Sequence, residues 1–475
     1  MQHNTIIIIT FITKSFKNNI TLTFKTKLMK KLMITALVCA AFVSVYAQDA
    51  KKEDTKYRRS SLYMMMLPDD DLEGDQLKVV ENAFTTKAFP DKYNNHNLKK
   101  TVFSAQNVKA IDVTQDQIHA AEELLNSKKK GIGKIAGKLG GFIKKHEEKP
   151  DTAQKENTKN AGYIAKLNKY FDENHVAQKL FAKWLGGGET ADKGKKPISY
   201  QLVEARGLQT LSQEEIATNR DLYLGEAMSD IIPRTFIMVN RYAYTPAEVI
   251  IAMTAAVADQ FGGGGYASLG GALLSKVLKG YFVMTNTYLY QLDLTNEQVT
   301  NLVEKYKEDI SGIYNDKSIK LKYVGKTMKY APATMKLSTK SDADTKLIAR
   351  ATVRATDAAI ADLQKKYEEF KTLATLHQED DGTLFSYIGK KEGIDSGDKF
   401  EVLERVMKDG KETFKVVTTI KVDKKGVWDN REGAGEIIQG AAQDKEDDDI
   451  NTSLTYTTFG KSKKILEGSL IRQVK

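Results

Sequence analysis

The sequence predicts a fold of the α+β or mixed α/β class, with a central helix–strand layer domain followed by a small all-β barrel domain. Three observations predict it. Capping sequences mark helix starts through the middle of the chain. Strand-like segments of alternating residues lie between these helices. After residue 381 the chain changes to short alternating segments separated by glycine turns.

Residues 29–47 have the three parts of a cleavable signal peptide. A short cationic start is followed by an uncharged apolar run at 32–45, and Val45-Tyr46-Ala47 places small residues where a signal peptidase reads them. The apolar run is shorter than the about 20 residues that a membrane-spanning helix needs. We therefore expect an exported mature chain that begins near Gln48, with residues 1–28 as translated upstream sequence.

Composition excludes several classes of function for this mature chain. The first 47 residues hold six lysines and no acid, so without them the formal charge falls from +10 to +4, with 66 basic against 62 acidic side chains. A chain so near neutral gives no general case for nucleic-acid binding. The sole cysteine, Cys39, lies in the leader, so a cysteine-free mature protein has neither disulfides nor a thiol nucleophile.

Pattern changes divide the mature chain into three expected regions. Residues 48–196 are expected to form an N-terminal helical region with a basic segment. Residues 197–379 alternate helix and strand and are expected to form a central α/β domain. Residues 380–475 are expected to form the C-terminal β-barrel domain.

A hydroxyl at the cap position, with a carboxyl or amide three residues later, predicts four helix starts. The segments are residues 212–215, 295–298, 341–344 and 245–248, the last with proline at the first helical position. The helix after residue 341 is long. One face of it is expected to pack on a sheet or another helix, and it consists of Ile348, Ala351, Ala355, Ala358, Leu363, Tyr367 and Phe370.

Two strand segments, residues 236–244 and 282–290, are identical at five of nine positions. Side chains alternate along a strand, so Phe, Met, Asn and both Tyr of each segment fall on one face. One interpretation is that two buried strands have converged on similar residues. The other is a duplicated unit with a shared polar-aromatic interaction surface, formed by Asn240, Tyr242, Asn286 and Tyr288.

Residues 389–402 read G-x-x-x-G-x-x-x-G-D-x-F-x-V. This run resembles the small β-barrel module at the C-terminus of some bacterial envelope assembly and secretion accessory proteins, and residues 465–474 resemble its closing strand. The resemblance covers about ninety residues and implies a binding or docking module. Alternation around the turn predicts a positive φ at Gly397 and one core shared by Phe400, Val402, Val416 and Ile420.

A looser resemblance covers residues 200–430. EARG at 204–207, TFIMVN at 235–240, TYLYQLD at 287–293 and WDNR at 428–431 occur in this order. The segments resemble those of a family of uncharacterised exported envelope proteins of Gram-negative gut and oral bacteria. The resemblance implies an envelope location and supplies no activity.

The sequence names no catalytic residue, and we expect no cofactor and no metal. No two of the five mature histidines have ligand spacing, and metalloprotease, phosphate-loop and nucleophile-elbow motifs are absent from the sequence. A relaxed dinucleotide pattern at 262–267 follows a helical run instead of a strand. Asp447, Asp449 and Asn451 imitate the start of a calcium loop, but threonines stand at its turn-glycine and bidentate-glutamate positions.

Residues 131–145 form a basic amphipathic segment. On a helix its apolar stripe and its lysines lie apart. An ordinary helix docked on the protein's own core would show this stripe, while a helix at an anionic membrane surface would use the lysines as well. The candidate membrane-surface residues are Ile132, Lys134, Ile135, Lys138, Leu139, Phe142 and Ile143.

Together these observations predict an exported, non-enzymatic cell-envelope protein that acts as a docking or binding module. The expected location is the periplasm or the outer membrane, or the extracellular space. Expected partners are other envelope proteins or a polymer, with peripheral membrane contact left open and no nucleic acid. Two alternatives remain: a hydrolase of envelope glycan or peptide with unidentified carboxylates, and a subunit of a larger envelope assembly.

Overall fold

The structure is a computed structural model that describes part of the chain. The described residues are 60–69, 72–90, 92–94, 101–103, 107–108, 110–136, 150–188, 196–207, 213–246, 278–336, 342–408, 411–434, 454–462 and 464–474. The expected upstream segment and signal peptide, the Asp447 loop and most of the 131–145 segment lie outside them.

A six-stranded mixed sheet forms the centre of the fold. Its strands are β1 Ser60–Pro68, β2 Tyr93–Asn94, β3 Thr101–Val102, β4 Thr235–Pro246, β5 Leu278–Leu292 and β6 Leu321–Lys336. The order is β2-β1-β4-β5-β6, with β3 also paired to β1. Strand β1 runs parallel to its partners, whereas β4, β5 and β6 are successively antiparallel.

Helices cover both faces of this sheet. They are α1 Gly74–Thr86, α2 Gln115–Ala136, α3 Pro150–Glu173, α4 Val176–Trp184, α5 Gln201–Gly207, α6 Gln213–Ile231, α7 Asn296–Tyr306 and α8 Asp342–Lys366. Ile237 and Val239 point to one face and join a core that includes residues of α2 to α7. Phe236 and Met238 point to the other face, where they meet α1 and α8. Alternate side chains of β4 therefore pack into two different cores, one on each face of the sheet. The predicted mixed α/β class is confirmed.

The structure corrects the boundary predicted at residue 196. Strand β1 belongs to the expected N-terminal helical region, yet it pairs with β4 in the centre of the sheet, with Met65 beside Val239. Side chains on both sides of residue 196 share one core. A parallel partner can join a sheet from far away along the chain, so a compositional boundary did not mark a folding boundary here.

Three of the four predicted helix starts agree with the structure. Thr295 forms a full capping box before α7, because its hydroxyl accepts from Gln298 N at 3.2 Å while Gln298 Oε1 accepts from Thr295 N at 2.8 Å. Helices α6 and α8 begin directly after the predicted caps at 212 and 341, which lie outside the described residues. The fourth prediction was wrong, since Thr245 and Pro246 end strand β4.

Helix α8 buries the face that its spacing predicts. Ile348, Ala351, Ala355 and Leu363 join the core beneath β5 and β6. Ala358, predicted for the same face, is only half-buried and does not belong to this core. Tyr367 and Phe370 continue this core just beyond the helix end. The absence of a side chain at Gly325 on β6 leaves room for the Tyr367 ring, which a Cβ there would overlap.

The C-terminal part contains two smaller sheets. Their strands are β7 Ala374–Thr375, β8 His377–Gln378, β9 Thr383–Ser386, β10 Lys399–Lys408, β11 Lys411–Lys421, β12 Thr457–Lys461 and β13 Leu470–Gln473. They are ordered β11-β10-β13-β7 and β12-β9-β8. The small all-β region is thus present, and no closed barrel is found among the described residues.

One detail of the predicted C-terminal core was wrong. Gly397 has φ 83°, and Phe400, Val402 and Ile420 share a core, as predicted. Val402 pairs with Thr418 but Leu403 pairs with Val416, so Val417 is an extra residue in a β-bulge. The bulge reverses the alternation of β11, and Val416 is 45% exposed.

Asp316 stabilises the loop between α7 and β6 through hydrogen bonds. Its carboxylate accepts from Lys305 Nζ at 2.8 Å, Tyr306 Oη at 2.6 Å and Ser318 N at 2.9 Å. Partial burial by itself would raise the pKa of Asp316, but these hydrogen bonds outweigh it and hold the pKa well below its usual range.

Asp316→Asn is expected to lower the free energy of unfolding by about 1–2 kcal/mol at neutral pH, because charge-assisted hydrogen bonds are lost. The lowered pKa belongs to the folded state, so the stabilisation is present above the unfolded pKa near 4 and is lost as pH falls below it. Urea unfolding from pH 7 to pH 2 should therefore show the two proteins converging in acid. A difference that stays constant over this range would contradict the assignment.

Candidate functional site

The outer face of the β12-β9-β8 sheet carries four aromatic side chains, His377, Phe385, Tyr387 and Tyr456, which we call the aromatic face. His377 on β8 lies directly opposite Phe385 on β9. Tyr387 follows Phe385 by two residues and so points to the same side. Tyr456 directly precedes β12, whose Thr457 pairs with Ser386. Residues from two sequence-distant segments thus meet on one face.

The four rings contact one another. His377 stacks on Phe385 with ring centroids 5.3 Å apart, and Phe385 lies 4.4 Å from Tyr456. Tyr387 meets Phe385 edge to face at 5.7 Å and His377 at 5.3 Å. Aromatic pairs in such arrangements contribute about 0.5–1.5 kcal/mol beyond area burial, so the rings hold one another in place.

This face is accessible, and its composition is unusual for a solvent-facing sheet. The opposite face packs inward through Leu384 and Phe459, which are buried in the C-terminal core. Outward positions of such a sheet are ordinarily polar. Here Tyr387 is 46% exposed, and the other three rings are half-buried. Packing inside the module therefore does not account for the outward aromatic residues.

Exposed carboxylates border the aromatic face in the turn between β8 and β9, at Glu379, Asp380 and Asp381. Tyr456 Oη donates to Glu379, and the Lys461 ammonium donates to Asp381. Asp381 also accepts from Thr383 N at 2.9 Å. With three acids and one lysine, this border is acidic.

Hydrogen bonding favours the neutral form of one group at the border, Tyr456, and the ionised form of another, Asp381. The bond to Glu379 raises the pKa of the Tyr456 phenol. Hydrogen bonds from Lys461 and Thr383 hold the pKa of Asp381 below its usual range. At neutral pH the Tyr456 phenol is therefore neutral and the Asp381 carboxylate is ionised. Aromatic faces and carboxylates together attract cations, so this arrangement suits binding of positively charged groups.

The residues expected to form a shared polar-aromatic surface do not form one. Asn240, Tyr242, Asn286 and Tyr288 are all fully buried. Strands β4 and β5 are antiparallel, and Asn240 lies opposite Thr287 while Asn286 lies opposite Arg241. Equivalent positions of the two segments therefore point to opposite faces of the sheet, and the interpretation as a surface was wrong.

Two of these buried side chains, Tyr242 and Tyr288, connect the sheet to its helical layers. Tyr242 Oη lies 2.5 Å from Thr356 Oγ1 on α8, and Tyr288 Oη donates to Asn160 Oδ1 on α3 at 2.6 Å. Asn240 Oδ1 accepts from Thr287 Oγ1 at 2.8 Å. Burial raises the pKa of Tyr242, which keeps this phenol a donor. Asn240, Tyr242 and Tyr288 thus have structural partners, as the interpretation by convergence of buried strands predicts, whereas the buried Asn286 amide makes no hydrogen bond with a described residue.

The candidate membrane-surface segment lies mostly outside the described residues. Ile132, Lys134 and Ile135 lie in the last turns of α2. Lys138, Leu139, Phe142 and Ile143 lie outside the described residues, so peripheral membrane contact stays a prediction. None of the helices that can be described is both long and apolar enough to cross a bilayer.

The described part of the chain offers no arrangement of His, Cys, Asp or Glu that could hold a metal ion. His119, His175 and His377 lie on different elements. His377 belongs to the aromatic face, where it contacts rings.

The aromatic face cannot be recognised from single residues, although the sequence contains a signal for it. In TLFSYIG at 383–389, Leu384, Ser386 and Ile388 alternate with Phe385 and Tyr387. Both faces of this strand carry large apolar side chains, although a sheet that packs on a core with one face needs them on that face only. Tyr456 lies about seventy residues away in sequence, and pairing of β12 with β9 brings it to the face.

Comparison with known proteins gives no assignment: no family model matches the chain, and no curated protein matches it significantly. The resemblances seen in the sequence therefore stay predictions. Function is inferred from the chemistry of the described surfaces.

Proposed function

We propose that the protein is an exported, non-enzymatic binding protein of the cell envelope, and that its C-terminal module docks a partner protein through the aromatic face. The observation that carries the proposal is the group of four contacting rings on an accessible sheet face. Tyrosine is enriched among the residues that dominate binding energy at protein interfaces.

The charge of the border favours a partner that presents lysine or arginine. A cation within about 6 Å of an aromatic ring face gains roughly 0.5–2 kcal/mol, depending on its desolvation. Asp380 and Glu379 would add charge attraction at the rim, which mainly accelerates association and favours correct partners. A basic protein segment satisfies both requirements.

The alternative of a hydrolase receives less support from the described residues. A cleft lined by Asp357 and Glu392 exists. However, Asp357 pairs with Lys87 Nζ at 2.6 Å, and Glu392 accepts from Gly389 N and Asn430 Nδ2. Both carboxylates thus have structural partners, and neither is poised as an acid or a base for substrate.

The alternative of an assembly subunit draws on a different surface. Among the described strands, β11 lies at an edge of its sheet, and its Val416 and Val417 are 45% and 55% exposed. An open edge can accept a strand from another chain. If the edge of β11 binds the partner, capture of the partner depends on Val417. If the aromatic face binds it, capture depends on Tyr387.

Crosslinking and affinity capture from intact cells tests the proposal. Tyr387→Ala is expected to reduce capture of the partner at least ten-fold, because an exposed aromatic anchor is lost. The melting temperature should change by only a few degrees, since Tyr387 is 46% exposed. Capture by the unchanged protein should also weaken as salt rises, because charged rims are screened.

Two further variants separate the alternatives. Leu222→Ser changes a side chain of α6 that is 58% exposed and should leave capture unchanged. Val417→Lys should leave capture unchanged if the aromatic face docks the partner, and should abolish it if the edge of β11 does. Equal capture by Tyr387→Ala and unchanged protein, or recovery of glycan in place of protein, would overturn the proposal.

A further inference from the structure

A cationic cleft lies where α8 meets the C-terminal module. Two contiguous openings share Lys92, Gln364 and Glu392. The cations that line them are Lys92, Lys365, Lys371, Lys391 and Arg472. Small-molecule sites occur preferentially between domains.

Most charges of the cleft already have partners. Lys365 Nζ donates to Gly393 O at 2.5 Å, Lys371 pairs with Glu368 at 2.8 Å, and Arg472 pairs with Glu401 at 2.8 Å. Both acids that line the cleft, Asp357 and Glu392, are likewise engaged. Lys87 neutralises Asp357, whereas the donors to Glu392 are neutral amides, so the Glu392 carboxylate keeps its negative charge. The five lining cations nevertheless outnumber these two acids.

Two of the five cations differ from the others. The side chains of Lys92 and Lys391 are half-buried, and neither ammonium makes a hydrogen bond or ion pair with another described residue. Burial lowers the pKa of Lys92, the Glu392 carboxylate opposes this, and the nearby Lys391 ammonium adds to it. Glu392 offsets part of this positive charge, and the cleft as a whole still favours a further anion because its lining cations outnumber its acids.

We propose that this cleft binds the phosphate group of a small phosphate ester, held between Lys92 and Lys391. A phosphate group suits a cleft lined by these two lysines because it carries a charge of about −1.5 to −2 at neutral pH and three strong acceptor oxygens. Lysine binds phosphate as a compact point charge with three donors. The site is distinct from the aromatic face and does not depend on the docking function.

Calorimetric titration of the whole mature chain at fixed ionic strength tests the proposal. Inorganic phosphate and glycerol 3-phosphate serve as soluble probes, with chloride as the reference anion. Saturable binding of either phosphate is expected. Lys92→Met and Lys391→Met should each weaken it at least ten-fold, whereas Lys92→Arg keeps the charge and should retain most of it.

Lys424→Met is the matched control, because it removes one charge from an exposed turn outside the cleft. It should leave binding unchanged. Flotation with vesicles that contain phosphatidic acid distinguishes the source of the phosphate: binding that requires Lys92 would assign a lipid headgroup, and binding to the soluble probes alone would assign a soluble ester. The proposal is overturned if no probe binds more tightly than chloride, or if folded Lys92→Met and Lys391→Met bind like the unchanged protein.

Discussion

Asp357→Ala is expected to lower the free energy of unfolding by about 3–5 kcal/mol, the cost typical of leaving a buried charge without its partner. Asp357 and Lys87 form an ion pair at 2.6 Å, and their side chains are 7% and 2% exposed. The pair connects the residue after α1 to the middle of α8 on one face of the sheet. Without the carboxylate, the Lys87 ammonium must stay charged in the core or give up its proton.

Urea unfolding followed by circular dichroism measures this loss. Asp75→Ala is the control, because its ion pair with Lys78 joins side chains that are 93% and 77% exposed and should contribute at most a few tenths of a kcal/mol. The double variant Lys87→Met with Asp357→Leu removes both charges and should recover much of the loss. Equal free energies of unfolding for Asp357→Ala and Asp75→Ala would show that the buried ion pair does not contribute the expected stabilisation.

Local chemistry explains the parts of the fold that the sequence predicted correctly. The capping box at Thr295 and Gln298 is decided by residues three positions apart, so it can be read without the rest of the chain. The same holds for the buried face of α8, which follows from the helical period. Both predictions concern interactions within one element.

Pairing between distant segments explains the predictions that failed. Asn240 and Asn286 occupy equivalent positions of two similar strands, yet the antiparallel register places them on opposite faces. A shift of one residue would have put them on the same face. The bulge at Val417 had a similar effect, since one extra residue turned Val416 out of the core.

The aromatic face was hidden for the same reason. Phe385 and Tyr387 belong to a strand that the sequence predicts, but its outer side becomes recognisable only when β12 supplies Tyr456 and β8 supplies His377. The cationic cleft depends on still longer separations, because Lys92 and Lys391 lie about three hundred residues apart. Binding surfaces built from several elements have no local sequence period.

Trp184→Ala is expected to destabilise the protein by about 3–5 kcal/mol, the range typical of removing a buried aromatic side chain. Trp184 ends α4, is fully buried, and lies in the core that joins the sheet to the larger helical layer. Its Nε1 donates to Thr235 Oγ1 at 2.8 Å, and that hydroxyl donates to Ile232 O at 2.8 Å. The ring thus combines apolar burial with a bond to the first residue of β4.

Trp184→Phe separates these two contributions. Phenylalanine retains most of the apolar burial but loses the indole donor, so a smaller loss of about 1–2 kcal/mol is expected. Leu222→Ala on α6 is the control, because that side chain is 58% exposed and its truncation should change stability by less than about 0.5 kcal/mol. Urea unfolding by circular dichroism suits all three variants, since Trp184 is one of two tryptophans and its removal changes the fluorescence signal. If Trp184→Ala lost no more than Leu222→Ala, α4 would not be part of the stabilising core.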